Sequence, residues 1–444
     1  MAYPFKTKLH LNFESLRGSF SEILKKIPDS RQKNKINYDI HDTMMSGFAC
    51  MYFQDPSLLQ FQQRLEEYEQ RSNLHTIFGV HHIPSETQMR EVIDAVDSHY
   101  LNPVFENYFY QLQRGKHLQQ YQLFENLYLC PIDGTQYFSS NNIHCQQCLT
   151  AQHKKENITY SHSVLQAGIM HPELRQVIPF MPEEICNADG YEKQDCEVNA
   201  AKRLIPKLRK SHPQLGLIIT GDGLFSKQPM IEHVLKNNMH YIFVAKPSDH
   251  TYLMEWLDTY PSLHEYSTED EKGTRYVYEW MNEVPLNATD ENFRVNFFRF
   301  KLIKTNKQGK EKITYQNSWV TDLTVTQNNI VTLVRGGRCR WKIENECFNT
   351  LKNQGYNIEH NYGHGQKNLC FNFYLLTLLA FFFHQIFELT DKLYQASRKK
   401  FGSKTHMWES LRSYIKILIF DSWHHLLDFA FTPTKYQPVL SQAP

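Results

Sequence analysis

The sequence is short of net charge, of repetition and of any clean apolar run of membrane length. Its 48 Lys and Arg stand against 47 Asp and Glu, a formal net charge of +1. A uniformly basic nucleic-acid-binding domain is thereby excluded, and any contact with nucleic acid must come from local patches. Such patches occur at 202–210 (KRLIPKLRK), 301–312, 335–342 (RGGRCRWK) and 392–404, each equally compatible with a solvated face. No internal repeat or low-complexity tract is present. The one long apolar run, Leu369 to Phe387, is interrupted by Asn372, His384 and Gln385, which points to a buried helix and away from a membrane span. The opening residues, MAYPFKTKLHLNFESL, lack the charged-then-apolar order of a secretory signal, so the expectation is a cytoplasmic chain with reduced cysteines.

What is present is apolar surface in quantity. Hydrophobic residues make up 41% and aromatics 14% of 444 residues, too many to leave disordered and too long a chain for one ordinary core. From about Phe20 to Tyr121 apolar residues recur every three or four positions, in HDTMMSGFACMYF, SLLQFQQRLEEYEQ and TQMREVIDAVDSHYLNPVFENYFYQL, and the reading is helical. Ser85 and Gln88 form a start signal for the third of these. After Asn126 short β-rich runs follow (LYLCPIDGTQYF, ITYSHSVLQAGIM, QVIPFM), then a helix around 198–208, the strand LGLIITGDG, a helix at 227–236 and the strand HYIFVAK. From about 255 to 332 the pattern returns to strands, with a hairpin turn at TNKQGK, before RCRWKIENECFNTLKNQ resumes a helical period. The fold class is α+β. The expected divisions are a helical region at 1–122, a mixed-sheet core flanked by helices at 123–250 and 334–390, a β-rich insertion at 251–333 and a helical tail at 391–444.

Three acids stand where carboxylate chemistry would need them. Cutting a phosphodiester without a covalent protein intermediate takes two hard cations about 4 Å apart, and carboxylates are their natural ligands. Asp133 lies in PIDGT, where an apolar strand is expected to end and Gly134 permits close approach; the alternative is an Asp-Gly hairpin turn. Asp222 follows the apolar strand LGLIIT, with Ser226 opening a helix, a placement that brings active groups to the carboxyl edge of α/β sheets; a loop turn is the alternative. Glu344 shares a helix face with Arg340, Trp341, Phe348 and Leu351, which turns it toward the core, with Glu346 pointing away; a surface Arg–Glu pair is the alternative.

At this point the residues resemble a family, the bacterial insertion-sequence transposases of the DDE type, with a ribonuclease-H-like core and a tyrosine-arginine-glutamate-lysine signature around the third acid. The match spans most of the chain, and its most specific piece is Arg338-Cys339-Arg340-Trp341-Lys342-Ile343-Glu344, similar to the family's Arg-x-Arg-Trp-x-Ile-Glu. The resemblance implies that Asp133, Asp222 and Glu344 are catalytic and hold two Mg²⁺ ions, with Mn²⁺ as a substitute. It implies that Arg340 contacts DNA phosphate, alongside Arg338 and Lys352. Two positions depart: Gly337 stands in the tyrosine slot, and Lys352 falls one residue late, with Leu351 in the lysine slot. The implied function is DNA transposition and recombination: hydrolysis at inverted-repeat ends of double-stranded DNA, then joining to target DNA, by a homodimer. A catalytically inactive DNA-binding derivative and a ribonuclease-H-like nuclease are the alternatives. The helical 1–122 region would recognise DNA ends, Arg90 and Lys116 being candidate contacts. Trp280 and Trp319 in the insertion are read as core residues, stacking on a flipped base being the alternative.

Nine cysteines offer one metal-like spacing, His144-Cys145-Gln146-Gln147-Cys148, half of a Zn²⁺ site. Completing it would require His153, His162, or Cys186 and Cys196 to fold back; the alternative is a pair of thiols flanking a turn. His360 and His364, in HNYGHG, match no ligand spacing and are read as structural.

Overall fold

A computed structural model describes residues 9–32, 36–64, 72–152, 158–187, 194–260, 262–305 and 310–436. The N-terminal third is helical, as its periodicity predicts: α1 (Phe13–Leu24), α2 (Ile40–Tyr52), α3 (Leu58–Arg64), α4 (Glu86–Ala95) and α5 (Asn102–Arg114). The end of SLLQFQQRLEEYEQ lies outside the described residues. Ser85 caps α4, its hydroxyl accepting from the Gln88 N–H at 3.4 Å. The long helix expected from Thr87 divides in two. Asp97 caps a single 3₁₀ turn, Ser98–Leu101, and Pro103 sits in the first turn of α5, a position that needs no N–H.

The sheet follows: β1 (Gln122–Phe124), β2 (Leu127–Ser140), β3 (Leu149–Gln152), β4 (Ile158–Ile169), β5 (Ile178–Pro179), β6 (Glu183–Ile185), α6 (Glu197–Ser211), β7 (Gly216–Gly221), α7 (Gln228–Lys236), β8 (His240–Val244), α8 (Thr251–Asp258), β9 (His264–Glu269), β10 (Thr274–Pro285), β11 (Arg294–Thr305) and β12 (Glu311–Thr321). Strand order is β3-β4-β2-β7-β8-β12-β11-β10-β9. β2, β7 and β8 run parallel and the other pairings are antiparallel.

The strands read at 255–332 are present after α8, which overlaps the start of that range; they form an antiparallel meander whose inner strand joins the core sheet. β12 pairs with β8 at Trp319↔Val244, Val320↔Phe243 and Thr321↔Ile242. Without this partner the parallel strand β8 would present an open edge. The central residues of the interior hairpin of TNKQGK lie outside the described residues.

Helices α9 (Ile330–Cys339) and α10 (Asn349–Asn353) are joined by a stretch of wide π-type turns, Ile343–Phe348. Then comes α11 (Leu369–Thr390), followed by α12 (Lys392–Phe401), α13 (Lys404–Ile417) and α14 (Trp423–Phe431). α11 is long and apolar enough to cross a bilayer, yet 94% of its most apolar stretch is buried inside the protein. Helices from both ends of the chain close around it: Phe48 lies 5.0 Å from Phe383, and Trp408 lies 4.4 Å from His384. The regions expected at 1–122 and 391–444 therefore share one core.

The three polar interruptions of this helix each have a partner. Asn372 Nδ2 donates to the carbonyls of Ile93 and Val96, both at 2.8 Å. Gln385 Oε1 accepts from the Val177 N–H at 3.0 Å, and His384 Nδ1 meets the Tyr356 hydroxyl at 2.5 Å. Burial holds His384 well below the usual histidine range, so it is neutral. Asn372 Oδ1 and His384 Nε2 have no hydrogen-bond partner among the described residues, at a cost of about 1–3 kcal/mol each.

Candidate active site

β2 changes partner midway. It runs parallel to β7 from Leu127↔Gly216 to Pro131↔Thr220, then continues against β4 from Ile132↔Ala167 to Ser140↔Tyr160. Asp133 sits at this handover, two residues past the last rung shared with β7. It is therefore inside a strand, where the sequence led us to expect a strand end or a hairpin turn; the strand goes on because β4 offers a second ladder. Asp222 follows the end of β7 as expected, two residues past the same rung, and its Oδ1 accepts the Leu224 N–H at 2.9 Å.

Glu344 reaches the same edge from the wide-turn stretch. One guanidinium nitrogen, Arg340 Nη1, donates to Asp133 Oδ2 and to Glu344 Oε1, each at 3.0 Å. The Arg340 side chain is 14% exposed, that of Asp133 19% and that of Glu344 41%. Phe348 is buried as expected, but Trp341 lies 53% exposed, with the Arg340 guanidinium 5.7 Å from its ring. The expectation that Trp341 would bury one flank of Glu344 assumed an α-helical register, which the wide turns do not keep.

A fourth acid was missed. Glu197, the first residue of α6, fills the space beside Gly134: a Cβ there would lie 2.0 Å from Glu197 Oε1. What Gly134 admits is thus this carboxylate. Burial pushes the Asp133 carboxyl up to about 7; Arg340 opposes the shift, and Glu344 and Glu197 add to it. Burial, reinforced by Asp222, raises Glu197 too. The signal available in the sequence was weak: an acid opening the helix after the antiparallel strands, and a glycine after Asp133.

Carboxylates thus outnumber the one guanidinium among them in a half-buried place. Like charges held this close resist ionising together, and a hard divalent cation with oxygen ligands relieves them.

The other residues singled out in the sequence fall elsewhere. Arg338 stacks outward on Tyr315 and Phe300, at 5.1 and 5.6 Å, and Lys352 pairs with Glu359 at 2.7 Å. Leu351 is wholly buried. Gly337 packs on the Trp319 indole, where a Cβ would come within 2.7 Å, so a tyrosine has no room there. Trp319 is fully buried against Phe298, and Trp280 is buried against His264. Arg90 Nε donates to the Tyr362 carbonyl at 2.7 Å, whereas Lys116 is exposed. Much of the basic patches is engaged within the protein: Arg203 and Lys207 with Glu183, Lys301 with Glu279, Arg335 with Glu173, and Lys404 with Glu388.

A second constellation lies apart from the acids. Cys145 and Cys148, between β2 and β3, meet His162 of β4 and His364 of the loop before α11, their ligand atoms all within 4.8 Å of one another. His364, read as structural from its local spacing, is thus brought to the cysteines by tertiary folding. Cys186 and Cys196 do not join this group, and His153 lies outside the described residues. Burial disfavours the Cys145 thiolate, but hydrogen bonds from His162 and His364 outweigh it and bring the thiol down to about 5.

No family model matches the chain, and no curated protein sequence matches it. Among solved structures, the NurA nuclease from Sulfolobus solfataricus is similar at 9% identity, over 54% of this chain and 85% of that one, with a TM-score of 0.23. A likeness at that level carries no weight for fold or activity.

Proposed function

We propose that this chain is a DNA transposase of the DDE type, acting in the cytoplasm as a homodimer on double-stranded transposon ends and target DNA. The observation that carries the reading is the convergence of Asp133 and Glu344 on one guanidinium, with Asp222 at the same sheet edge, from three distant segments of the chain. A mixed sheet with the first acid on a central strand and the second after its parallel neighbour supports the ribonuclease-H-like core.

Asp133, Asp222 and Glu344 would hold two Mg²⁺ ions, or Mn²⁺ in their place, which when bound activate the attacking oxygen and stabilise the leaving one. The protein's own part is to keep these carboxylates together before a cation arrives. Arg340 does so by lending one positive charge to two of them. Its planar fork has further donors, and a phosphate oxygen is the group such a fork suits best. Arg338 and Lys352 are assigned to DNA phosphates further out. Water attacks at the transposon end to leave a 3′-hydroxyl, which then attacks target DNA. Binding should weaken steeply with salt as counterions are released.

The test is cleavage and strand transfer of a labelled duplex carrying the element's terminal sequence, with Mg²⁺, in wild type, Asp222→Ala and Glu344→Ala. Loss of both steps in both variants supports the reading. Cleavage without joining would make the protein a ribonuclease-H-like nuclease. Binding without cleavage, under Mg²⁺ or Mn²⁺, would make it a catalytically inactive DNA-binding derivative.

A further inference from the structure

We propose that Cys145, Cys148, His162 and His364 bind one Zn²⁺ in a closed tetrahedral site that pins the loop behind the Glu344 helix to the sheet. The inference stands on the packing of these four side chains and does not depend on the transposase reading.

The distances decide it. A tetrahedral centre with Zn–S bonds of about 2.3 Å and Zn–N bonds of about 2.0–2.1 Å has edges of about 3.8 Å between sulfurs, about 3.6 Å between sulfur and nitrogen and about 3.3 Å between nitrogens. The Cys145 and Cys148 sulfurs are 3.8 Å apart. His162 Nε2 lies 3.5 Å from Cys145 Sγ and 3.3 Å from Cys148 Sγ; His364 Nε2 lies 3.5 Å from Cys148 Sγ. The two Nε2 atoms are 3.2 Å apart. Two thiols and two imidazoles hydrogen-bonding in pairs have no reason to take all these spacings at once, whereas four ligands around one ion must. Two sulfurs and two nitrogens in a tetrahedron suit Zn²⁺.

The surroundings are those of a metal site. His364 Nδ1 lies 2.8 Å from the Gly365 carbonyl, which holds the proton on Nδ1 and leaves Nε2 free to ligate. The Cys145 N–H points at Cys148 Sγ from 3.4 Å, a contact that favours the thiolate. Cys148, His162 and His364 are buried, and Phe138 packs on the His364 ring at 4.5 Å. His364 is aimed by its neighbours: Gly363 and Gly365 have φ of +143° and +71°, conformations L side chains rarely adopt. The protein fills all four positions, so the ion has no open site for substrate and its role is structural.

The loop has other anchors, so losing the ion need not unfold the chain. Asp94 accepts the backbone N–H groups of Gln366, Lys367, Asn368 and Leu369, and Arg90 holds Tyr362.

The experiment is metal analysis of the 444-residue chain purified under reducing conditions and equilibrated with Zn²⁺, alongside Cys148→Ser and His364→Ala. We expect about one zinc per chain in wild type and about tenfold less or lower in either variant, with far-UV circular dichroism retained. Where a variant fails to fold, Co²⁺ in the wild-type chain gives the answer: strong visible bands of a tetrahedral thiolate site are expected. A wild type without zinc, variants that keep it, or a weak octahedral Co²⁺ spectrum would each overturn the proposal.

Discussion

The acid centre and the cysteine–histidine cluster solve opposite problems. At the first, like charges are gathered and a guanidinium keeps them from separating, so the place remains under electrostatic tension with Asp133 pushed up to about 7. At the second, two sulfurs and two imidazole nitrogens lie within 4.8 Å of one another, largely screened from solvent. One arrangement is open and half-exposed, as suits a ligand that comes and goes; the other is closed, as suits one that stays. On the two proposals, charge excess marks a place for reaction and matched spacing a place for a fastener.

The sharpest way to break this contrast is at the acids. Asp133→Ala, Asp222→Ala or Glu344→Ala should each lower strand cleavage by on the order of 10³-fold or more, since groups acting as one unit fail together. Zinc content and melting temperature should stay near wild type. If cleavage survives, the acids are structural and the division is wrong.

Next in size is removal of the fastener. A strong chelator should lower the melting temperature by roughly 5 °C, reversibly on adding Zn²⁺ and not on adding Mg²⁺. Recovery with Mg²⁺ alone would place the stabilising metal among the carboxylates.

Gly337→Tyr asks whether the tyrosine of the resembling family is compatible with this core. Its Cβ would come within 2.7 Å of the Trp319 indole, so a loss of about 1–3 kcal/mol in denaturant unfolding is expected, with no gain in cleavage. A stable, more active variant would show that the indole gives way.

The smallest effect belongs to a pair outside both clusters. His240 Nδ1 meets Asp322 at 2.6 Å, and this contact raises the histidine against the opposing effect of burial. The folded state then holds the proton more tightly than the unfolded one. The stabilisation is full below the unfolded value of about 6.5 and is lost as pH rises through the folded one. His240→Gln should cost under about 1 kcal/mol at pH 6, the pair being partly exposed, and nothing through this pair at pH 9. Equal melts at both pH values would remove the pair as a contributor.

Much of this was legible in the sequence, because periodicity is a local property. The helices of the first 120 residues, the strands around Asp133 and Asp222, and the helical setting of Glu344 were read from spacing alone. So was the burial of the apolar helix, from the three polar residues that interrupt it. What spacing could not carry was pairing at a distance. Nothing near Trp319 says that its strand will lie beside Val244, and nothing near His364 says that Cys148 will meet it. Glu197 escaped because its partner is an absence, the missing side chain of Gly134. Trp341 was misplaced because an α-helical wheel was applied across turns wider than α.

The central position of α11 has a consequence for synthesis. A ribosome delivers α1 to α5 long before residues 369–390, so these helices emerge with the apolar faces that will grip α11, such as that of Phe48, still uncovered. They cannot close until that helix arrives, and α13, whose Trp408 packs on His384 at 4.4 Å, comes later still. A message cut short before codon 369 would therefore yield a chain holding every carboxylate of the acid centre and an open trough where its keystone belongs.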